Sequence, residues 1–101
     1  MWARIATFED VDVGALRERA GQRPPDDLIP RGMRGLLSLI DPERRRQVFI
    51  TLFESREAIE AAEPQFERMG AAFPEELRGR RVSKEYCEVA AGFVTIVGEV
   101  R

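Results

Sequence analysis

The segment Val48-Phe49-Ile50-Thr51-Leu52-Phe53 is apolar at every position except Thr51. A strand with one face in water alternates apolar and polar residues, whereas a strand covered on both faces need not. The segment therefore predicts a strand that is greasy on both sides and needs two covers. Helices from the rest of the chain supply one. The other must come from outside the subunit, and a second copy of the chain is the simplest source.

At 101 residues the chain amounts to one domain. Folding at this size buries only about 60–65% of the unfolded surface, so a lone subunit is modestly stable. Apolar residues make up 44% and charged residues 34%, which fits a folded domain rather than a disordered chain. A net charge of −2 lacks the basic surplus that nucleic acid or an anionic membrane attracts, so neither is expected as a partner. Cys87 is the only cysteine, which excludes an intramolecular disulfide and predicts a small buried hydrophobe on a strand. No secretory pattern and no apolar run of membrane-spanning length is present, so a cytoplasmic location is expected.

Trp2 to Phe8 reads as a first strand, after which Asp12 caps a short helix carrying Val13, Leu16 and Ala20 on one face. Gly21 ends it. Residues Gln22 to Arg31 hold Pro24, Pro25 and Pro30 and are read as a loop with one helical turn at Asp26–Ile29. Met33 to Ile40 and Arg46 to Glu54 form a hairpin around the Asp41-Pro42-Glu43-Arg44 turn. Ser55 caps a long helix with an apolar stripe through Ala58, Ala62, Phe66, Met69 and Phe73. Pro64 interrupts that helix, and a break near Ala61–Glu63 is expected, since an interior proline costs about 3 kcal/mol. Val82 to Val89 is a fourth strand, polar enough for a sheet edge. Phe93 to Val97 is either a fifth strand or a tail.

The order β-α-β-β-α-β defines an α+β, ferredoxin-like fold: a split βαβ pair with a four-stranded antiparallel sheet and both helices on one face. Residues 1–90 form the domain and 91–101 the tail or extra strand. The uncovered face spans on the order of 350 Å² before side-chain relief is counted. That reaches the size of the largest apolar patches a monomer tolerates. Two such faces packed about a two-fold axis cover each other, which predicts a homodimer through the sheet face.

Three segments carry a resemblance: Arg31-Gly32-Met33-Arg34-Gly35-Leu36-Leu37, Ile50-Thr51-Leu52-Phe53-Glu54-Ser55-Arg56-Glu57-Ala58 and Glu85-Tyr86-Cys87-Glu88-Val89-Ala90. They resemble the second strand, the strand-to-helix junction and the closing strand of the dimeric α/β-barrel proteins similar to antibiotic biosynthesis monooxygenases. The resemblance implies a pocket between sheet and helices in each subunit, and either cofactor-independent oxygenase chemistry or haem degradation. The chain contains no His and no Asn, and its one Trp is Trp2. Haem held by histidine is therefore excluded. The family's His in the helix after the junction is replaced here by the Ala61-Ala62 neighbourhood, which weakens the case for oxygenase chemistry.

Without histidine the ordinary neutral-pH acid–base group is missing. Zinc sites of the usual type, phosphate-binding loops, dinucleotide fingerprints and Ser–His or Cys–His nucleophile pairs are absent as well. No cofactor is called for. The candidate pocket consists of Arg4, Arg34, Phe49, Phe53 and Tyr86: two cations for an anionic or phenolic ligand, two aromatic walls and one hydroxyl. Each also has a structural role open to it, with the arginines paired at the sheet end or dimer rim and the aromatics in the core. Glu85 and Cys87 sit beside Tyr86 in sequence as further candidates.

Two functions follow. One is a small dimeric binder of an apolar or aromatic molecule, monooxygenase-like or isomerase-like if catalytic. The other is a non-catalytic structural or interaction dimer whose cavity is filled by its own side chains. A pocket of about 300 Å³ or more reached by Arg4, Arg34 or Tyr86 favours the first. A cavity filled by Phe66, Met69 and Phe73 favours the second.

Overall fold

The computed structural model describes residues 1–20, 27, 29–72 and 79–92. Six elements follow in the expected order: β1 (Trp2–Glu9), α1 (Val13–Ala20), β2 (Met33–Asp41), β3 (Arg46–Phe53), α2 (Arg56–Ala72) and β4 (Arg80–Glu88). The sheet order is β2-β3-β1-β4, with every neighbour antiparallel. This is the ferredoxin-like arrangement. It puts the greasy β3 beside β1 in the middle and leaves β2 and the more polar β4 at the edges.

Local chemistry sets the element ends. Asp12 Oδ1 accepts from the Ala15 amide at 3.0 Å and Ser55 Oγ from the Ala58 amide at 3.1 Å, so each helix starts on the cap its sequence supplies. In the hairpin, Asp41 Oδ1 accepts from the amides of Glu43 and Arg44, and Arg45 takes a positive φ of 51° to close the turn. Gly79 enters β4 at φ 64°, where a Cβ would run into the Glu9 carbonyl oxygen and the Val11 side chain, so no larger residue fits.

The expected break at Pro64 does not occur: α2 is one helix over Arg56–Ala72 with Pro64 inside it. Pro64 is exposed, while Ile59, Ala62 and Phe66 on either side of it are buried. Their packing holds together a helix that local propensity alone would interrupt. The loop reading of 22–31, Phe73 at the end of the apolar stripe and the alternatives for Phe93–Val97 fall largely or wholly outside the described residues.

Side-chain alternation divides the sheet into two faces. Towards α2 point Trp2, Arg4 and Ala6 of β1, Phe49, Thr51 and Phe53 of β3, and Lys84 and Tyr86 of β4. The core is Phe53, Ile59, Ala62 and Phe66, with the Phe53 and Phe66 rings edge to face at 6.1 Å. The opposite face carries the cross-strand rows Gly35-Leu52-Ala3-Cys87, Leu37-Ile50-Ile5-Glu85 and Leu39-Val48-Thr7-Ser83. Beyond the last of them lies a charged end, where Asp41 is opposite Arg46, Glu9 is opposite Arg80, and Glu9 pairs with both arginines. Ala3 is buried, Ile5, Leu37, Val48, Ile50 and Leu52 are half-buried by their sheet neighbours alone, and Leu39 is 49% exposed. Cys87, expected to be buried, is exposed, because it lies on this face of an edge strand.

Candidate functional site

The polar groups of the helix-facing side converge on one carboxylate. Glu63 stands four residues after the buried Ile59, and so leans towards the sheet rather than into water. Arg4 Nε donates to Glu63 Oε1 at 2.6 Å and its terminal nitrogen to Oε2 at 3.4 Å. The Tyr86 hydroxyl donates to Oε1 at 2.8 Å, and Lys84 Nζ to Oε2 at 3.3 Å. Arg4 and Tyr86 are direct cross-strand partners on β1 and β4, so the sheet register itself aims both at α2. The Arg4 guanidinium also lies over the Phe66 ring, 4.2 Å from its centroid.

This network governs protonation. Burial raises the Glu63 carboxyl, but the hydrogen bonds from Arg4, Tyr86 and Lys84 and the Arg4 charge outweigh it and hold the group below its ordinary value. Burial, then the hydrogen bond to Glu63 and the Glu63 charge, push the Tyr86 hydroxyl up to about 12. Glu63 is therefore a committed anion and Tyr86 a committed donor. Neither is poised near neutral pH as a general acid or base has to be. Arg4 itself is 3% exposed, so it is a buried structural cation and not a rim residue.

The five candidate residues separate. Arg4, Phe53 and Tyr86 belong to the network and the core beneath α2. Phe49 lines a neighbouring hollow. Arg34 lies apart, exposed and paired with Glu54 at the end of the β2–β3 pair. Glu85 and Cys87 project from the opposite face to Tyr86. Sequence reading missed Glu63, the residue that organises the site, although its spacing from Ile59 gave the signal. It also missed Lys84 as a Glu63 partner, and Thr51.

The hollow lies over β2 and β3 and is walled by Met33, Leu36, Phe49, Thr51, Phe66 and Met69. Its volume is about 50 Å³. A few waters fit, whereas an apolar cavity that takes up benzene is nearer 150 Å³. Arg4, Arg34 and Tyr86 do not line it, and Phe66 and Met69 take up its helix side. Thr51 Oγ1 is buried at its wall without a hydrogen-bond partner. Among the described residues, no group of three or more Cys, Asp or Glu side chains is placed to hold a metal ion. No described helix is long and apolar enough to cross a membrane.

No protein-family model matches the sequence, and no curated protein matches it either. Among solved structures, the chain is similar to a dimeric ferredoxin-like protein from an uncultured marine organism. The TM-score is 0.63 at 12% identity, covering 93% of this chain and 98% of the other. At that identity the likeness supports the ferredoxin-like fold and nothing finer.

Proposed function

We propose that this protein works as a homodimer paired through its open sheet face, a dimeric α/β barrel of the kind seen in antibiotic biosynthesis monooxygenase-like proteins, and that it is an interaction module rather than an oxygenase. The observation that carries the proposal is the continuous aliphatic surface of Leu37, Leu39, Val48, Ile50, Leu52 and Ile5 on the side away from α2. Such a surface is costly in water and is covered at no loss of hydrogen bonding by its own copy. The similar marine protein, itself described as dimeric, supports the same reading. Against catalysis stand the saturated Glu63 network and the small hollow. Sedimentation equilibrium at micromolar concentration is expected to give twice the mass of the chain. A monomer at that concentration overturns the reading.

A second reading, the monooxygenase-like binder of a small apolar or aromatic molecule, is favoured by one observation. Thr51 Oγ1, buried beside the apolar hollow, lacks a partner that a ligand's polar atom would supply. It requires Met69 and Phe66 to move aside. A thermal-shift screen with small phenols and quinones tests it: stabilisation that disappears in Thr51→Val supports it, and no shift with any of them removes it.

A further inference from the structure

The charged end of the open face reads across the sheet as one row: Asp41 on β2, Arg46 on β3, Glu9 on β1 and Arg80 on β4. Its formal charges alternate minus, plus, minus, plus. Within the subunit Glu9 serves both arginines, Arg46 at 3.3 Å and Arg80 at 3.4 Å, and Arg80 also reaches Asp10 at 3.8 Å. Asp41 pairs with the exposed Arg44 of its own turn at 3.5 Å. Arg46 Nε is buried without a partner. A guanidinium has five N–H donors, so the two arginines of the row hold donors that Glu9 alone cannot use.

Two copies packed face to face are related by a two-fold axis lying between the sheets, with their strands turned by about 30°. With the axis along the strands, through the midline between β3 and β1, each row faces its own copy in reversed strand order. β2 then lies over the partner's β4, and β3 over the partner's β1. Asp41 meets the partner's Arg80, and Arg46 meets the partner's Glu9. The symmetry repeats both meetings, and all are between opposite charges. The cost is Glu85, which comes over the partner's Leu37 without a counter-charge.

With the axis across the strands, β2 lies over the partner's β2 and the rows reverse. If all four rows stay in contact, the charged row falls on Gly35, Leu52, Ala3 and Cys87, which offer it no counter-charge. If the axis moves to the Leu37 row, the charged end hangs beyond the partner and two Glu85 carboxylates face each other. Like charges so placed cost several kcal/mol.

We infer that the two copies meet about an axis parallel to the strands, with β2 of each beside β4 of the other and the Asp41-Arg46-Glu9-Arg80 row paired with its own copy. The inference rests on the homodimer reading and adds its geometry. Each edge strand gains a neighbour from the partner, as closing two four-stranded sheets into one barrel requires. All four strands enter the contact. Strands of eight or nine residues spaced about 4.8 Å apart give a flat sheet of roughly 500 Å², and side-chain relief brings this towards the ~800 Å² per partner of a stable interface. The apolar rows supply the affinity, and the charged row selects the orientation.

Sedimentation of charge-reversed forms tests it, with circular dichroism to check that each is folded. Asp41→Lys and Arg80→Glu should each raise the dimer dissociation constant by more than about tenfold, because each sets like charges together at both seams. The two changes in one chain should bring it back to within about threefold of wild type. Single variants within about threefold of wild type, or a double variant no better than the singles, overturn the axis while the dimer stands. A wild-type monomer removes the dimer and the axis together. A second measurement holds even if a reversed form proves unfolded. Leu39→Cys and Ser83→Cys, each in a Cys87→Ser background, are mixed and treated with a short bifunctional thiol reagent. β2 over the partner's β4 brings these positions face to face, so the mixed product should form faster than either self-linked product. Faster self-linking is the outcome of an axis across the strands and overturns the inference.

Discussion

The two faces of one sheet solve opposite problems. Towards α2, the chain buries Arg4 and half-buries Glu63, and makes them acceptable by surrounding the carboxylate with three donors. Away from α2, it presents aliphatic side chains that neighbouring strands only half cover. On the first face, buried polarity is balanced within the subunit. On the second, exposed apolarity is left for the proposed second copy to cover. The comparison teaches that substitutions on the helix-facing side should register in the unfolding of a single subunit, and substitutions on the open side in association.

The largest effect on the inner face is expected at Phe66, which closes the core against Phe53 and carries the Arg4 guanidinium. Phe66→Ala should cost about 4 kcal/mol in chemical denaturation, through the cavity it leaves and the loss of the ring beneath Arg4. If it instead weakened dimerisation while leaving subunit stability intact, the division of labour between the faces would be wrong.

Glu63→Gln comes next, at about 3 kcal/mol, because Arg4 stays buried after its counter-charge has gone. The same variant sharpens the pH dependence. A carboxyl held below its ordinary value of 4.5 stabilises the fold above that pH, and the contribution is lost as pH falls through the folded value. Wild type should therefore lose stability below about pH 4.5 more steeply than Glu63→Gln. At the alkaline end the sign reverses. Tyr86, raised from 10.0 to about 12, contributes fully below pH 10 and progressively less as pH climbs towards 12. A profile equally steep in the two forms at acid pH would show that another carboxylate controls it.

The smallest effect should be a gain. Thr51→Val removes a buried hydroxyl without a partner and keeps its shape, so unfolding should become harder by about 1 kcal/mol. A loss of that size would mean that the hydroxyl is bonded in solution.

Much of the fold could be read from residues close together in the chain. Asp12 and Ser55 marked the helix starts, Asp41-Pro42 marked the hairpin, and the unbroken apolar run 48–53 marked the central strand. Pro64 misled because the penalty for an interior proline is local, whereas the packing of Ile59, Ala62 and Phe66 is not. Cys87 misled because its burial depends on which face and which edge it occupies, and composition is silent on both. Arg34 matched Arg4 in type and strand setting, yet one pairs on the surface and the other is buried.

The sequence by itself determined the elements, their order and the existence of two apolar strand faces, because caps, turns and side-chain period act over a few residues. Only the tertiary structure decided that Glu63 meets Arg4, Lys84 and Tyr86, and that Glu85 and Cys87 share the opposite face with Ile50. Those meetings depend on strand register and on where α2 lies across β1 and β3, and both are set by packing between residues far apart in the chain.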